Sequence, residues 1–193
     1  MIILKKKGLL IALGAVVLVV VLVVGGLIST YNGLVDKKAT VENAEAQIQT
    51  QLQRRADLIP NLVNTVKGYA SHETEVYTAL ADARAKLNSA SNAEEYTEAL
   101  ESYDSAISRL LVVVENYPEL KANQNFIYLQ DELSGTENRI GTARKDYNDT
   151  VTEYNKSIKK FPTVIFAGML GFDEAELFEA SDNAQNAPVV DFE

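Results

Sequence analysis

Between Gly8 and Ile28 the chain reads GLLIALGAVVLVVVLVVGGLI, 21 residues without a charge. As a helix rising about 1.5 Å per residue, that run extends roughly 31 Å, the thickness of a bilayer's hydrocarbon core. A single-pass transmembrane helix is therefore expected over residues 8–28, behind a short basic tail at 1–7 that carries Lys5, Lys6 and Lys7. A cleaved secretory signal has the same basic start, but its apolar region is shorter and ends in a small-x-small site. Gly25-Gly26-Leu27-Ile28-Ser29-Thr30 makes a poor site of that kind, which favours an uncleaved anchor in the cell membrane. After the span come Lys37 and Lys38, beside Asp36. Three lysines before the span against two after it lean towards a cytoplasmic N-terminus, with the bulk domain on the outer side. A lone span with no ionisable residue forms no proton or ion path. Its glycines fall into no strict GxxxG, so pairing of two such helices is left open.

Past residue 30 the chain holds 15 basic and 27 acidic side chains, a net of about −12. Such a surface repels phosphate backbones and anionic head groups, and nucleic acid is set aside as a partner. The absence of cysteine removes disulfides, thiolate nucleophiles, iron–sulfur clusters and cysteine zinc sites. It says nothing about compartment. Alanine, leucine, glutamate, asparagine and valine are plentiful, a composition that suits helices.

The apolar residues then recur at helical spacing. Leu34, Val41 and Ile48 are seven apart, with Leu52 and Ile59 on the neighbouring row. Leu62, Val66, Tyr69, Val76, Leu80, Ala83 and Leu87 continue the count, followed by Tyr96, Leu100, Tyr103, Ile107, Leu110, Val114 and Tyr117. Phe126, Leu133, Ile140, Tyr147, Tyr154 and Phe161 again sit at intervals of seven. This is the coiled-coil-like stripe of helices packed side by side. Pro60, the NSASN cluster at 88–92, Asn116-Tyr117-Pro118 and Phe161-Pro162 interrupt it. Since proline disfavours helix at the residue before it, helices are expected over about 31–57, 60–88, 93–116 and 120–160.

Two arrangements compete at Pro60. Either Asp57 caps a new helix with Pro60 in its first turn, or the helix only kinks there and runs on to Leu87. The unbroken seven-residue count favours the kink. Length matching favours the turn, because an unbroken helix over 31–88 would leave the segment 93–116 covering less than half of it. The turn is the preferred reading, with Gly68 as a third position for the break. The fold expected is all-α: a single N-terminal transmembrane helix followed by an antiparallel up-and-down four-helix bundle over 31–161. An apolar segment and an acidic tail over 162–193 complete the chain.

No catalytic, cofactor-binding or metal-ligating residue is assigned, and no cofactor is expected. His72 is the lone imidazole. His72-Glu73 resembles the start of HExxH, but Val76 occupies the second histidine's place. No GxSxG turn presents a serine. The paired carboxylates Glu94-Glu95, Asp131-Glu132 and Asp173-Glu174 lack the Glu-x-x-His motifs of a di-metal bundle, and read as a solvated acidic face. His72 reads as a polar partner at a bundle end, bonded to a neighbouring carboxylate. Arg55 falls on the apolar row between Ile48 and Leu62. A buried arginine must be paired. A carboxylate beside the stripe of the last long helix is expected to do so, Glu137 first and Glu132 second, and thereby to fix helix register; an exposed basic contact for a partner is the other reading of Arg54 and Arg55. The run FPTVIFAGMLGF, Phe161–Phe172, is apolar and too short to cross a bilayer. It has three readings: a cap on the bundle end, a contact for a neighbouring subunit, or a segment in the head-group layer.

Several stretches together resemble the LemA family of bacterial membrane-anchored proteins. They include Tyr31-Asn32-x-Leu34-Val35, Gln53-Arg54-Arg55-Ala56-Asp57-Leu58-Ile59-Pro60-Asn61-Leu62-Val63 and Val66-Lys67-Gly68-Tyr69-Ala70. Glu115-Asn116-Tyr117-Pro118, Thr136-Glu137-Asn138-Arg139-Ile140, Tyr147-Asn148, Tyr154-Asn155 and Ala187-Pro188-x-Val190-x-Phe192 follow in order. The resemblance implies a short tail, one anchor and an up-and-down four-helix bundle, and supplies no settled activity. Glu45 departs from the family by standing on the apolar stripe where relatives often carry an aromatic residue. The function expected is a membrane-anchored, non-enzymatic scaffold or interaction protein of the bacterial cell envelope. An accessory or regulatory subunit of a membrane enzyme, such as a protease or sensor, is the alternative, and a hydrolase whose turnover needs His72 is a third. Its partners would be other proteins and the bilayer through residues 8–28, with a homo-oligomer left open.

Overall fold

The computed structural model describes residues 2–178, with side chains from Leu13 onward. The expectations for the acidic tail beyond Phe178, including the Ala187–Phe192 motif, lie outside the described residues. Among the described residues five α-helices follow one another: α1, Ile2–Lys67; α2, Thr74–Ser89; α3, Ala93–Val114; α4, Pro118–Lys121; and α5, Gln124–Lys159. Two short 3-10 turns close the order, Thr163–Ile165 and Gly168–Leu170. There is no strand among the described residues. The chain divides into two compact units. The first takes in the chain up to Val41 together with Glu153–Ala175, and the second Glu42–Thr152 with the segment that starts at Glu176.

In the first unit, every side chain from Leu13 to Ser29 is exposed. The helix is long and apolar enough to cross a membrane, and none of its most apolar window is buried within the protein. A core helix of a soluble domain would hide such a surface. Leu34, Val41, Tyr154, Ile158, Ala167 and Phe172 form this unit's buried cluster.

In the second unit the stripes read from sequence turn inward. Ile48, Leu52, Ile59, Leu62 and Val66 of α1 are buried, as are Val76, Leu80, Ala83 and Leu87 of α2. Tyr96, Leu100, Tyr103, Leu110 and Val114 of α3 and Phe126, Leu133, Ile140 and Tyr147 of α5 are buried too. α2 and α3 form a hairpin. Asn92 caps α3 by accepting from the Glu95 amide at 2.9 Å, and the Glu95 carboxylate accepts from the Ser91 amide and hydroxyl, both at 2.8 Å. These bonds, led by the Ser91 hydroxyl, hold Glu95 below the usual carboxylate range.

Three expectations need correction. The chain does not turn at Pro60: α1 runs through it to Lys67. Asp57 caps nothing, and instead accepts from Gln53 Nε2 at 2.9 Å, one helical turn away. Proline deprives the Ala56 carbonyl of its amide partner, yet Ile59, Leu62 and Val66 keep the apolar row buried beyond it, and that burial outweighs the missing bond. The break comes at Gly68–Glu73, so the second helix begins at Thr74, not at residue 60. The last long helix is likewise interrupted. Asn123 separates α4 from α5, its side-chain oxygen accepting from the amides of Asn125 (2.9 Å) and Phe126 (3.2 Å). Finally, the outer positions Tyr69 and Phe161, read as stripe, are exposed.

Candidate interaction site

Arg55 is 4% exposed, on the inward row of α1. Its Nη2 donates to Asp104 Oδ1 on α3 at 2.8 Å and lies 3.8 Å from Glu137 Oε2 on α5. The guanidinium carbon stands 4.3 Å above the centroid of the Tyr103 ring. The first-choice partner read from sequence, Glu137, is thus the more distant one, and Glu132 instead accepts from the neighbouring Arg54 at 2.9 Å. Asp104 was missed. Its signal was its place next to Tyr103: a residue one step off a buried row lies at the edge of the helix interface, within reach of a long arginine. Burial, opposed by Arg55, raises the Asp104 carboxyl above its ordinary value. Burial also pushes the Tyr103 phenol up to about 12, with Arg55 acting against it.

Two tyrosine–asparagine pairs on α5 clasp the irregular chain that follows the 3-10 turns. In the second unit, Asn148 donates from Nδ2 to the Phe178 carbonyl and accepts from the Phe178 amide, both at 2.9 Å. The Tyr147 hydroxyl donates to the Glu176 carbonyl at 3.0 Å. The Phe178 ring stacks on Tyr96 with centroids 6.0 Å apart, and Tyr147 meets it edge-on at 5.1 Å. In the first unit the same dipeptide repeats the device. Asn155 donates to the Ala175 carbonyl at 2.8 Å and accepts from the Ala175 amide at 3.0 Å, while the Tyr154 hydroxyl donates to the Asp173 carbonyl at 2.8 Å. An asparagine amide satisfies both backbone groups of one residue, much as a neighbouring strand would. The signal in the sequence was the seven-residue spacing of Tyr147-Asn148 and Tyr154-Asn155. It placed these residues on one helix face but could not tell what that face holds.

The joint between α1 and α2 gathers a third set. The Tyr77 hydroxyl donates to the Ala70 carbonyl at 2.6 Å, Asn123 donates to the Tyr69 hydroxyl at 3.0 Å, and the Tyr117 hydroxyl lies 3.5 Å from Glu73 Oε1. His72 is exposed here. The bond to a carboxylate expected for it is not formed among the described residues. No group of three metal-ligating side chains comes together among the described residues either. Glu45, the odd residue on the stripe, is half-buried. Its charge adds to burial in raising the phenols of Tyr96 and Tyr147, where burial is the larger cause. The Tyr96 hydroxyl also accepts from Gln49 Nε2 at 2.7 Å. What these groups do is hold helices and the irregular segment that follows them; among the described residues they present no nucleophile beside a base.

Comparison with known proteins agrees with the motifs. The LemA family matches residues 44–192. A magnetosome protein, MamQ 1 of Paramagnetospirillum magneticum, is 26% identical over 90% of this chain and 73% of its own length. Protein LemA of Metamycoplasma hominis is 28% identical over 78% of this chain and 69% of its own length. MamQ of Magnetospirillum gryphiswaldense is 23% identical over 85% of this chain and 70% of its own. None of these names states a reaction.

Proposed function

Because the chain belongs to the LemA family, we propose that it is a membrane-anchored, non-enzymatic scaffold of the bacterial cell envelope, a helical body that meets protein partners while residues 8–28 hold it in the bilayer. The observation that carries this reading is the wholly exposed apolar face of α1 from Leu13 to Ser29, in the same unbroken helix that supplies the buried Arg55. An apolar surface of that length is stable only in lipid. For the second unit we adopt an antiparallel up-and-down bundle of α1, α2, α3 and α5. It is supported by the α2–α3 hairpin and by the ion pairs from Arg54 and Arg55 to α5 and α3. Partner surface is on offer in the exposed Leu111, Val112, Ile127 and Tyr128. Isolated apolar residues on a surface are ordinary, so the partner must be found by experiment.

Cross-linking in native membranes followed by mass spectrometry tests the reading. Large homo-oligomers, or links to several envelope proteins, are the expected result. A defined complex with one membrane enzyme would replace the scaffold with an accessory subunit, and turnover abolished by His72→Ala would overturn the non-enzymatic reading altogether. The outer-side orientation of the bulk domain is checked by protease protection in sealed cells and inverted vesicles.

A further inference from the structure

The segment Phe161–Phe172 has a buried set of side chains and an exposed one. Thr163, Ala167 and Phe172 are buried, whereas Phe161 (81% exposed), Ile165 (65%) and Met169 (82%), with Val164 and Leu170, face out. This outward face is not a frayed end. The amides of Val164, Ile165, Phe166, Ala167, Leu170, Gly171 and Phe172 all donate to nearby carbonyls, and Gly171 takes the left-handed conformation (φ 79°) that closes the second turn. Seven of the segment's amides thus find partners within the protein, which lowers the cost of leaving bulk water.

Its place in the unit is fixed by a ring contact. Phe172 meets Tyr31 edge-on with centroids 5.5 Å apart. Tyr31 stands three residues after Ile28, where the apolar run ends, a rise of about 4.5 Å along a helix. That is the level at which aromatic residues collect between hydrocarbon and water. The same unit gathers lysines. Lys37, Lys38, Lys156, Lys159 and Lys160 fall within residues 31–41 and 153–175, against four acidic residues. Lys156 pairs with Glu153 at 3.2 Å, and it, then Lys37 and Lys160, hold that carboxyl below the usual range. Over the rest of the chain past residue 30, basic residues are outnumbered 23 to 10.

We infer that Phe161–Phe172 is a second membrane contact, lying in the head-group layer of an anionic bilayer beside the anchor, with Lys37, Lys156 and Lys160 facing lipid phosphates. The inference rests on the reading of residues 8–28 as a membrane span. The segment is too short to cross the bilayer itself. Its outward apolar side chains enter the boundary between head groups and acyl chains, while the lysines remain at the charged surface.

The chain has no tryptophan, so a single introduced one reports its own surroundings. Full-length Val20→Trp, Met169→Trp and Val112→Trp, each at an exposed site, are placed in nanodiscs whose phosphatidylcholine carries bromine on the acyl chains, high in one preparation and near the chain ends in another. Quenching and a blue-shifted emission are expected at Val20→Trp and Met169→Trp, and neither at Val112→Trp. Replacing phosphatidylglycerol with phosphatidylcholine should lower the quenching of Met169→Trp by about threefold; equal quenching in both lipids would remove the role given to the lysines. Quenching at Val20→Trp with a water-like, unquenched Met169→Trp would overturn the inference and leave the anchor standing. A blue-shifted but unquenched Met169→Trp would also overturn it, showing that a second protein copy covers the patch. An unquenched Val20→Trp would remove the anchor and the inference together.

Discussion

Arg55 and Asp104 are unequal partners, and replacing them one at a time should expose the inequality. The Arg55 side chain is 5% exposed and that of Asp104 57%. Arg55→Met keeps most of the buried volume. It removes a charged hydrogen bond worth about 1.5–3 kcal/mol and a contact with the Tyr103 ring worth roughly 1 kcal/mol. It also abolishes the cost of holding a guanidinium out of water, several kcal/mol on the same scale. Asp104, half in solvent, rehydrates. The terms nearly cancel, and a net change within about 1 kcal/mol of zero is expected. Asp104→Ala acts the other way by stranding the guanidinium. Breaking a buried pair costs about 3–5 kcal/mol. Glu137, 3.8 Å away and 67% exposed, can close in, which reduces the expected loss to roughly 2–3 kcal/mol. For a body of this size the two variants should then differ in Tm by about 5 °C or more.

The assay is thermal unfolding of the full chain in non-ionic detergent, followed by far-ultraviolet circular dichroism. The double variant should recover most of what Asp104→Ala loses. If Arg55→Met is as damaging as Asp104→Ala and the two losses add, the unequal burial of the partners does not govern the pair, and the reasoning fails. Register is read separately, because Tyr103 lies under the guanidinium. A Met variant that retains both its stability and its near-ultraviolet tyrosine signal shows that the charge is not needed to fix the helices.

Tyr103→Phe tests the alkaline limb. The folded phenol is raised from 10.0 to about 12, so the stability linked to it is complete below pH 10 and lost as pH rises through 12. At about 1.4 kcal/mol per unit this amounts to roughly 3 kcal/mol. The Phe variant should unfold later in an alkaline titration, and coincident curves would refute the shift. Pro60→Ala returns an amide to the Ala56 carbonyl inside α1 and should raise stability by about 1–3 kcal/mol in urea unfolding; a loss would mean that the proline is needed where it stands. Asn148→Ala frees both backbone groups of Phe178. Hydrogen exchange at that amide should accelerate by about tenfold or more, with little effect at buried amides of α3.

The long exposed apolar stretch of α1 and the inward rows were legible because each is a repeated signal. One stray residue does not obscure a stripe carried by Ile48, Leu52, Ile59, Leu62 and Val66. The break between the first two bundle helices was misplaced for the opposite reason. Pro60 is a strong local signal, but its effect is a single missing bond set against several buried side chains, and sequence does not weigh the two. Gly68 carried the weaker signal at the real end of the helix. Asp104 stayed hidden because partner choice depends on which helices adjoin, a long-range property that periodicity within one helix cannot supply. The tyrosine–asparagine clasps were visible as spacing and opaque as chemistry, since the segment they hold has no regular pattern of its own.

Charge is distributed between the units in a way that bears on how such a protein would stand on a membrane. The acidic excess of the second unit repels anionic head groups over about a Debye length. Five lysines in the first unit have the opposite effect, and two of them are partly satisfied at home, Lys159 by Glu174 at 2.7 Å and Lys156 by Glu153 at 3.2 Å. Exposed pairs of that kind contribute little to stability, so exchanging a carboxylate for a lipid phosphate involves little loss. Raising the ionic strength should therefore weaken the lysine contacts while leaving the apolar contacts of Phe161, Ile165 and Met169 in place. Salt would then lower the quenching of Met169→Trp only part of the way, and a complete loss would mean that the apolar face contributes nothing.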